Sequence, residues 1–120
     1  MGLFTRSKRE ELAWTPLNQE KMIAEIIEAS KEKAQLIFKH STRCSISSMA
    51  LNRFESEWPQ DANCSIYFLD LIAFRAVSNQ VAEDLKVEHQ SPQALLIQNG
   101  EVTYSASHSA IRASEILEKL

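Results

Sequence analysis

The sequence predicts an α/β domain: a four-stranded mixed sheet with helices on both faces, in the order α-β-α-β-α-β-β-α. Three observations carry that prediction. Two short apolar runs, 34–39 and 65–69, are separated by one helix-length segment, and two strands joined through a helix form a right-handed parallel crossover. Two further strand-like runs, 94–97 and 102–104, flank Asn99-Gly100, a strong hairpin signal that adds an antiparallel pair. Helical periodicity precedes, separates and follows these runs, and such alternation builds a sheet covered on both sides.

Each element has a local reason. Residues 1–12 are polar and mixed in charge (Arg6, Lys8, Arg9, Glu10, Glu11) and read as a flexible N-terminal arm, with the domain over 13–120. The first helix should begin near Asn18, whose side chain can cap the first turn, with Leu17 and Met22 at the spacing of a hydrophobic staple. Met22, Ile23, Ile26 and Ile27 supply its apolar stripe. The run 34–39 reads as a buried strand that stops at His40-Ser41-Thr42-Arg43. A second helix follows, with Met49, Leu51, Phe54 and Trp58 on or near one face and Pro59 just past its end. The run 65–69 is the second strand, rich in aromatic and β-branched residues. Ser78 can cap a short third helix containing Val81 and Leu85, and a last helix spans about 108–119.

Composition limits the functional classes. A 44% hydrophobic and 24% charged chain has the make-up of a globular domain, which excludes disorder, collagen and a disulfide scaffold. No apolar run approaches the roughly 18 residues of a membrane span. Residues 1–6 lack an apolar signal core, and Arg6 stands where a myristoylation motif needs Ser or Thr. The expectation is a soluble, reduced, cytoplasmic protein whose two cysteines are free or catalytic rather than structural. A net charge of −3 argues against bulk nucleic-acid binding.

Cys44 is the residue on which function should rest. It follows a buried strand and a polar loop and opens a helix. Unpaired N–H groups and the macrodipole favour a thiolate there. Arg43 and His40 add positive potential, and Ser47 at i+3 can donate its hydroxyl or backbone N–H. Cys64 starts the second strand, whereas Cys44 lies beyond the far end of the first. Six residues of strand separate those ends by about 20 Å, and a disulfide needs Cα atoms within about 7 Å. Cys64 is therefore a packing residue and the chemistry is monothiol.

Cys44-Ser45-Ile46-Ser47 at a helix start, with Ser91-Pro92 before a strand, resembles the thioredoxin superfamily. The stretches 38–47 (Phe-Lys-His-Ser-Thr-Arg-Cys-Ser-Ile-Ser) and 88–93 (Glu-His-Gln-Ser-Pro-Gln), with 67–71 and 107–109, are similar to the bacillithiol-system redox-active (YtxJ-like) proteins, a monothiol thioredoxin-like family. The resemblance covers about 14–119. It departs from the family at Ser45, where proline is usual, and at Gln90, where glutamate is usual.

The resemblance implies a thioredoxin-like fold and a cytoplasmic bacterial protein, a bacilliredoxin-like oxidoreductase acting on protein–bacillithiol mixed disulfides. Bacillithiol would be a co-substrate and no cofactor would be needed. Carried onto this chain, Cys44 is the nucleophile and Thr42, Arg43 and Ser47 are its supports. Ser91 and a cis Pro92 form the opposite wall, the Ser91 backbone receiving an extended substrate as an added strand. Arg43 and Arg75 could contact the malate carboxylates of bacillithiol.

Other readings are weaker. His40, His89 and His108 match no zinc spacing, so no metal is expected. Trp14 and Trp58 read as core or rim packing. A monomer is expected rather than an obligate oligomer. The alternatives are a non-catalytic thioredoxin-like partner-binding or stress protein, and a glutathione-using enzyme of glutaredoxin type.

Overall fold

The computed structural model describes residues 12–120. Its strands are β1 (Trp14–Pro16), β2 (Ala34–His40), β3 (Cys64–Asp70), β4 (Gln93–Gln98) and β5 (Glu101–Ser107). The helices are α1 (Lys21–Ala29), α2 (Ser45–Glu57), α3 (Arg75–Leu85) and α4 (Ala113–Leu117), with a 3₁₀ turn (His108–Ala110) before α4. One mixed sheet runs in the order β1-β3-β2-β4-β5. β2 is parallel to β3, which is parallel to β1, while β4 runs antiparallel to both β2 and β5. Among the described residues no helix is long and apolar enough to cross a membrane.

Strand alternation divides the core into two layers. Leu36, Phe38, Ile66, Ala94 and Leu96 face Ala50, Leu51 and Phe54 of α2 and Ala113 and Ile116 of α4. On the opposite face, Ile37, Leu69, Leu95 and Ile97 meet Ile23 and Ile26 of α1 and Val77 and Val81 of α3. The central strand β2 is buried on both sides, which is why it reads as a continuous apolar run rather than an alternating one. At the hairpin, Asn99 and Gly100 both have positive φ (54° and 83°), as a two-residue type I′ turn requires.

The sheet has five strands, not four. The extra strand, β1, is three residues long and contains Pro16, too short and too interrupted to show a period of two. Long-range contacts make it. Trp14 pairs with Ile66, packs on Phe38, Phe54 and Phe68 at centroid distances of 6.2, 5.8 and 5.8 Å, and donates its indole N–H to Glu55 at 2.8 Å. Leu17 extends that edge by donating its N–H to the Phe68 carbonyl. The chain is therefore still leaving the sheet at Asn18, and α1 starts only at Lys21, without a side-chain cap.

Other boundaries also moved. α3 starts at Arg75, not at Ser78: the Asp70 carboxylate accepts the Ile72 and Ala73 N–H groups, turning the chain early, and Ser78 is buried inside the helix. The C-terminal segment is a 3₁₀ turn followed by a five-residue helix rather than one helix over 108–119; His108, at φ 56°, breaks it. Met49 is 67% exposed, so the packed side of α2 is Ala50, Leu51 and Phe54. β2 continues through His40. Of the segment expected to be an arm, residues 1–11 lie outside the described residues, while Leu12 is 5% exposed and sits in the core.

Candidate functional site

The C-terminal end of β2 and the N-terminal end of β4 are neighbours, because Lys39 pairs with Gln93. Cys44 lies four residues beyond His40, and Ser91-Pro92 immediately precedes Gln93. The two segments singled out in the sequence therefore share one end of the sheet. The Ser91-Pro92 peptide bond is cis. Pro92 is buried, and its carbonyl accepts the His108 N–H at 3.0 Å, which brings the turn before α4 to the same end.

Cys44 occupies the N-cap position of α2 with an extended backbone (φ −117°, ψ 121°) and is partly exposed. Its N–H donates to the Ser41 carbonyl at 3.2 Å. The first full-turn helical bond runs from Ser48 N–H to the Cys44 carbonyl, leaving the N–H groups of Ser45, Ile46 and Ser47 as the open end of the helix. Those groups are unsatisfied donors at the helix terminus that Cys44 opens.

The expected supports are arranged differently from one another. Thr42 and Arg43 sit exposed in the turn and make no side-chain hydrogen bond among the described residues. Ser47 is fully buried, and its hydroxyl does not reach the thiol. It pairs with His40 Nδ1 at 2.7 Å and accepts the Ser41 N–H at 3.0 Å. Ser47 thus braces the loop from behind, and only its backbone N–H faces the role expected of it. Arg75 is exposed at the start of α3.

On the other wall, the Ser91 hydroxyl is buried without a hydrogen-bond partner. Gln93 ties down the preceding loop: its Nε2 donates to the Glu88 carbonyl and its Oε1 accepts the Gln90 N–H. Lys39, given no role in the sequence beyond its place in a strand and in the family-like stretch 38–47, is fully buried beneath this loop. Its Nζ donates to the Ser78 carbonyl at 3.2 Å and stands 3.1 Å from His89 Nδ1. A lysine at the end of a run read as a buried strand was the available signal, since buried lysines are rare without a partner. Beside α2, exposed Ile46 and Met49 line a groove of about 370 Å³ together with Arg53 and His108.

Cys64 opens β3 opposite Ala34, at the far end of the sheet from Cys44. It is free and buried, and burial pushes its thiol up to about 12 despite the nearby Lys33. Among the described residues no three His, Cys, Asp or Glu side chains gather as a metal set.

A free cysteine at a helix N-cap, sharing one end of a mixed sheet with a cis X-Pro bond, defines a thioredoxin-fold thiol redox protein. Solved structures agree on the fold. A candidate oxidoreductase with a thioredoxin fold is 25% identical, with TM-score 0.78 over 95% of this chain and 97% of its own. Thioredoxins from Schistosoma mansoni and Malassezia sympodialis are 14% and 16% identical, with TM-scores of 0.67 and 0.65. They match 89% of this chain each, and 94% and 87% of their own. The sequence profile of the monothiol bacilliredoxin BrxC matches residues 15–116, and the chain belongs to that family.

Proposed function

We propose that this protein is a bacilliredoxin-type thiol–disulfide oxidoreductase that removes bacillithiol from protein mixed disulfides. The Cys44 thiolate attacks the bacillithiol sulfur. A bond forms between Cys44 Sγ and that sulfur as the protein–bacillithiol S–S bond breaks, and the protein thiolate leaves and takes up a proton. Cys44 then carries bacillithiol as a mixed disulfide until a second thiolate attacks it, which restores Cys44 and moves the disulfide to the new pair.

One observation carries this reading. Of the two cysteines in the chain, Cys44 caps a helix and is partly exposed, whereas Cys64 is buried and held protonated. That contrast favours a monothiol cycle. In this reading Ser91, before the cis proline, offers its backbone to an extended substrate, and the exposed Arg43 guanidinium meets the carboxylates of bacillithiol. The cytoplasm is the compartment in which such a reducing cycle would run.

The test uses one purified protein capped in parallel with bacillithiol or with glutathione. Mass spectrometry follows loss of the cap and its appearance on Cys44. Transfer of bacillithiol with little transfer of glutathione supports the proposal. Preference for glutathione points to a glutaredoxin-type enzyme, and transfer of neither points to a binding module.

A further inference from the structure

Adjacent residues on a strand point to opposite faces, and β2 uses this to hold both walls of the site. His40 turns toward α2 and pairs with Ser47. Lys39 turns toward α3 and contacts the Ser78 carbonyl and His89. His89 lies in loop 88–91, which ends at Ser91 and is also tied at Glu88 and Gln90 by Gln93, the β4 partner of Lys39. We propose that Lys39 is a positioning residue for exchange at Cys44: its ammonium grips His89 and the Ser78 carbonyl, and so holds loop 88–91 where an extended substrate docks. The proposal rests on exchange at Cys44 but not on which small thiol is carried.

The contact also sets a pH window. An ammonium has no lone pair, so His89 Nδ1 must accept and the neutral ring carries its proton on Nε2. Burial, then Lys39 from β2 and Arg75 from α3, hold the His89 ring below its usual range, which keeps it neutral near pH 7. Ser78 Oγ is a further neutral neighbour, 3.4 Å from the same nitrogen. Burial lowers Lys39 to about 8, and among the described residues no carboxylate pairs with it. In acid, a protonated His89 turns a second donor toward the ammonium and the grip fails. Above about 8 the amine is neutral and the bond loses its charge assistance.

The test is single-turnover exchange with a peptide whose cysteine carries 5-thio-2-nitrobenzoate, followed by release of that chromophore. Iodoacetamide alkylation of Cys44 runs in parallel. Lys39→Met should raise the half-saturating peptide concentration about tenfold, the scale of one charge-assisted hydrogen bond. The limiting rate and the alkylation rate should stay within about twofold, because the thiol itself is untouched. His89→Asn keeps an acceptor near Nδ1 but cannot titrate. Whatever its half-saturation at neutral pH, it should lose the further weakening of peptide binding in acid. If Lys39→Met fails to fold, His89→Leu should reproduce the rise in half-saturation. Unchanged half-saturation in a folded Lys39→Met or His89→Leu protein overturns the proposal. So does a fall confined to the limiting and alkylation rates, or an acid weakening that persists in His89→Asn. No chromophore release by the wild type would overturn both the exchange reading and this one. Failure with bacillithiol-capped protein alone would leave this result standing.

Discussion

His40 Nδ1 lies 2.7 Å from the Ser47 hydroxyl, and that hydroxyl also accepts the Ser41 N–H at 3.0 Å. The two bonds close the short loop between β2 and α2 from behind, so Thr42, Arg43 and Cys44 are spanned by a fixed frame. The place of Cys44 is set by its neighbours on both sides rather than by its own side chain. His40 is held in turn by Phe68, with ring centroids 5.5 Å apart.

Ser47→Ala leaves the Ser41 N–H and a buried ring nitrogen without their shared partner. Urea denaturation should show a loss of about 1–3 kcal/mol. The rate of Cys44 exchange should fall as well, because the first turn of α2 is no longer pinned. An unchanged midpoint and slope would mean that the frame contributes nothing.

Cys44→Ser should abolish transfer from a mixed disulfide, while Cys64→Ser should leave it largely intact. The end-to-end placement of the two thiols along paired strands and the burial of Cys64 both require that asymmetry. Loss of turnover in Cys64→Ser, with the protein still folded by circular dichroism, would show that a second thiol takes part.

The Cys64 thiol is pushed by burial from 9.0 to about 12, so the unfolded chain loses this proton first. Its contribution to stability is complete below the unfolded value and declines as pH rises toward the folded one. Wild-type stability measured against Cys64→Val should therefore drop as pH rises from about 9 toward about 12. A constant difference across that range would mean the thiol ionises equally in both states.

Gly100→Ala should destabilise the β4–β5 hairpin by about 1–2 kcal/mol, since an L side chain is disfavoured in the left-handed region. The cost is conformational: an added Cβ at φ 83° would come no nearer than 3.9 Å to Lys31 Cε. A thermal midpoint equal to that of the wild type would contradict the strained-turn argument.

Much of the fold is legible along the chain because its signals are local. A short run around Leu36-Ile37-Phe38 before a polar loop marks β2, Asn99-Gly100 marks the hairpin, and a polar loop ending in Cys44 marks the start of α2. Proline after Ser91 likewise announces a chain reversal within a few residues of β4. Each depends on backbone preferences or on periodicity, which neighbouring residues alone can express. The boundaries that moved at Asn18 and His108 are places where a distant partner outweighed a local preference, Phe68 for Leu17 and Pro92 for His108; the one at Ser78 moved because a nearer local contact, Asp70 with Ile72 and Ala73, turns the chain first.

The parts of the site that sequence left dark are contacts between residues far apart in the chain. Trp14 becomes a strand residue through Ile66 and Glu55, partners some forty to fifty positions away. Ser47 looks like a donor to Cys44 from its i+3 spacing, yet the sheet delivers His40 to its hydroxyl first. Lys39 reads only as the last residue of a buried strand, and nothing local names a partner for its ammonium; the register of β2 against β4 and the closure of α3 over it bring it against His89. Residue type and local spacing thus specified a helix-opening cysteine and, separately, a proline just before β4; that the two face each other is implied only by the family resemblance and is decided by the pairing of β2 with β4. Which hydroxyl, imidazole and ammonium hold those two pieces in place depends on strand register, which gathers partners that no local pattern relates.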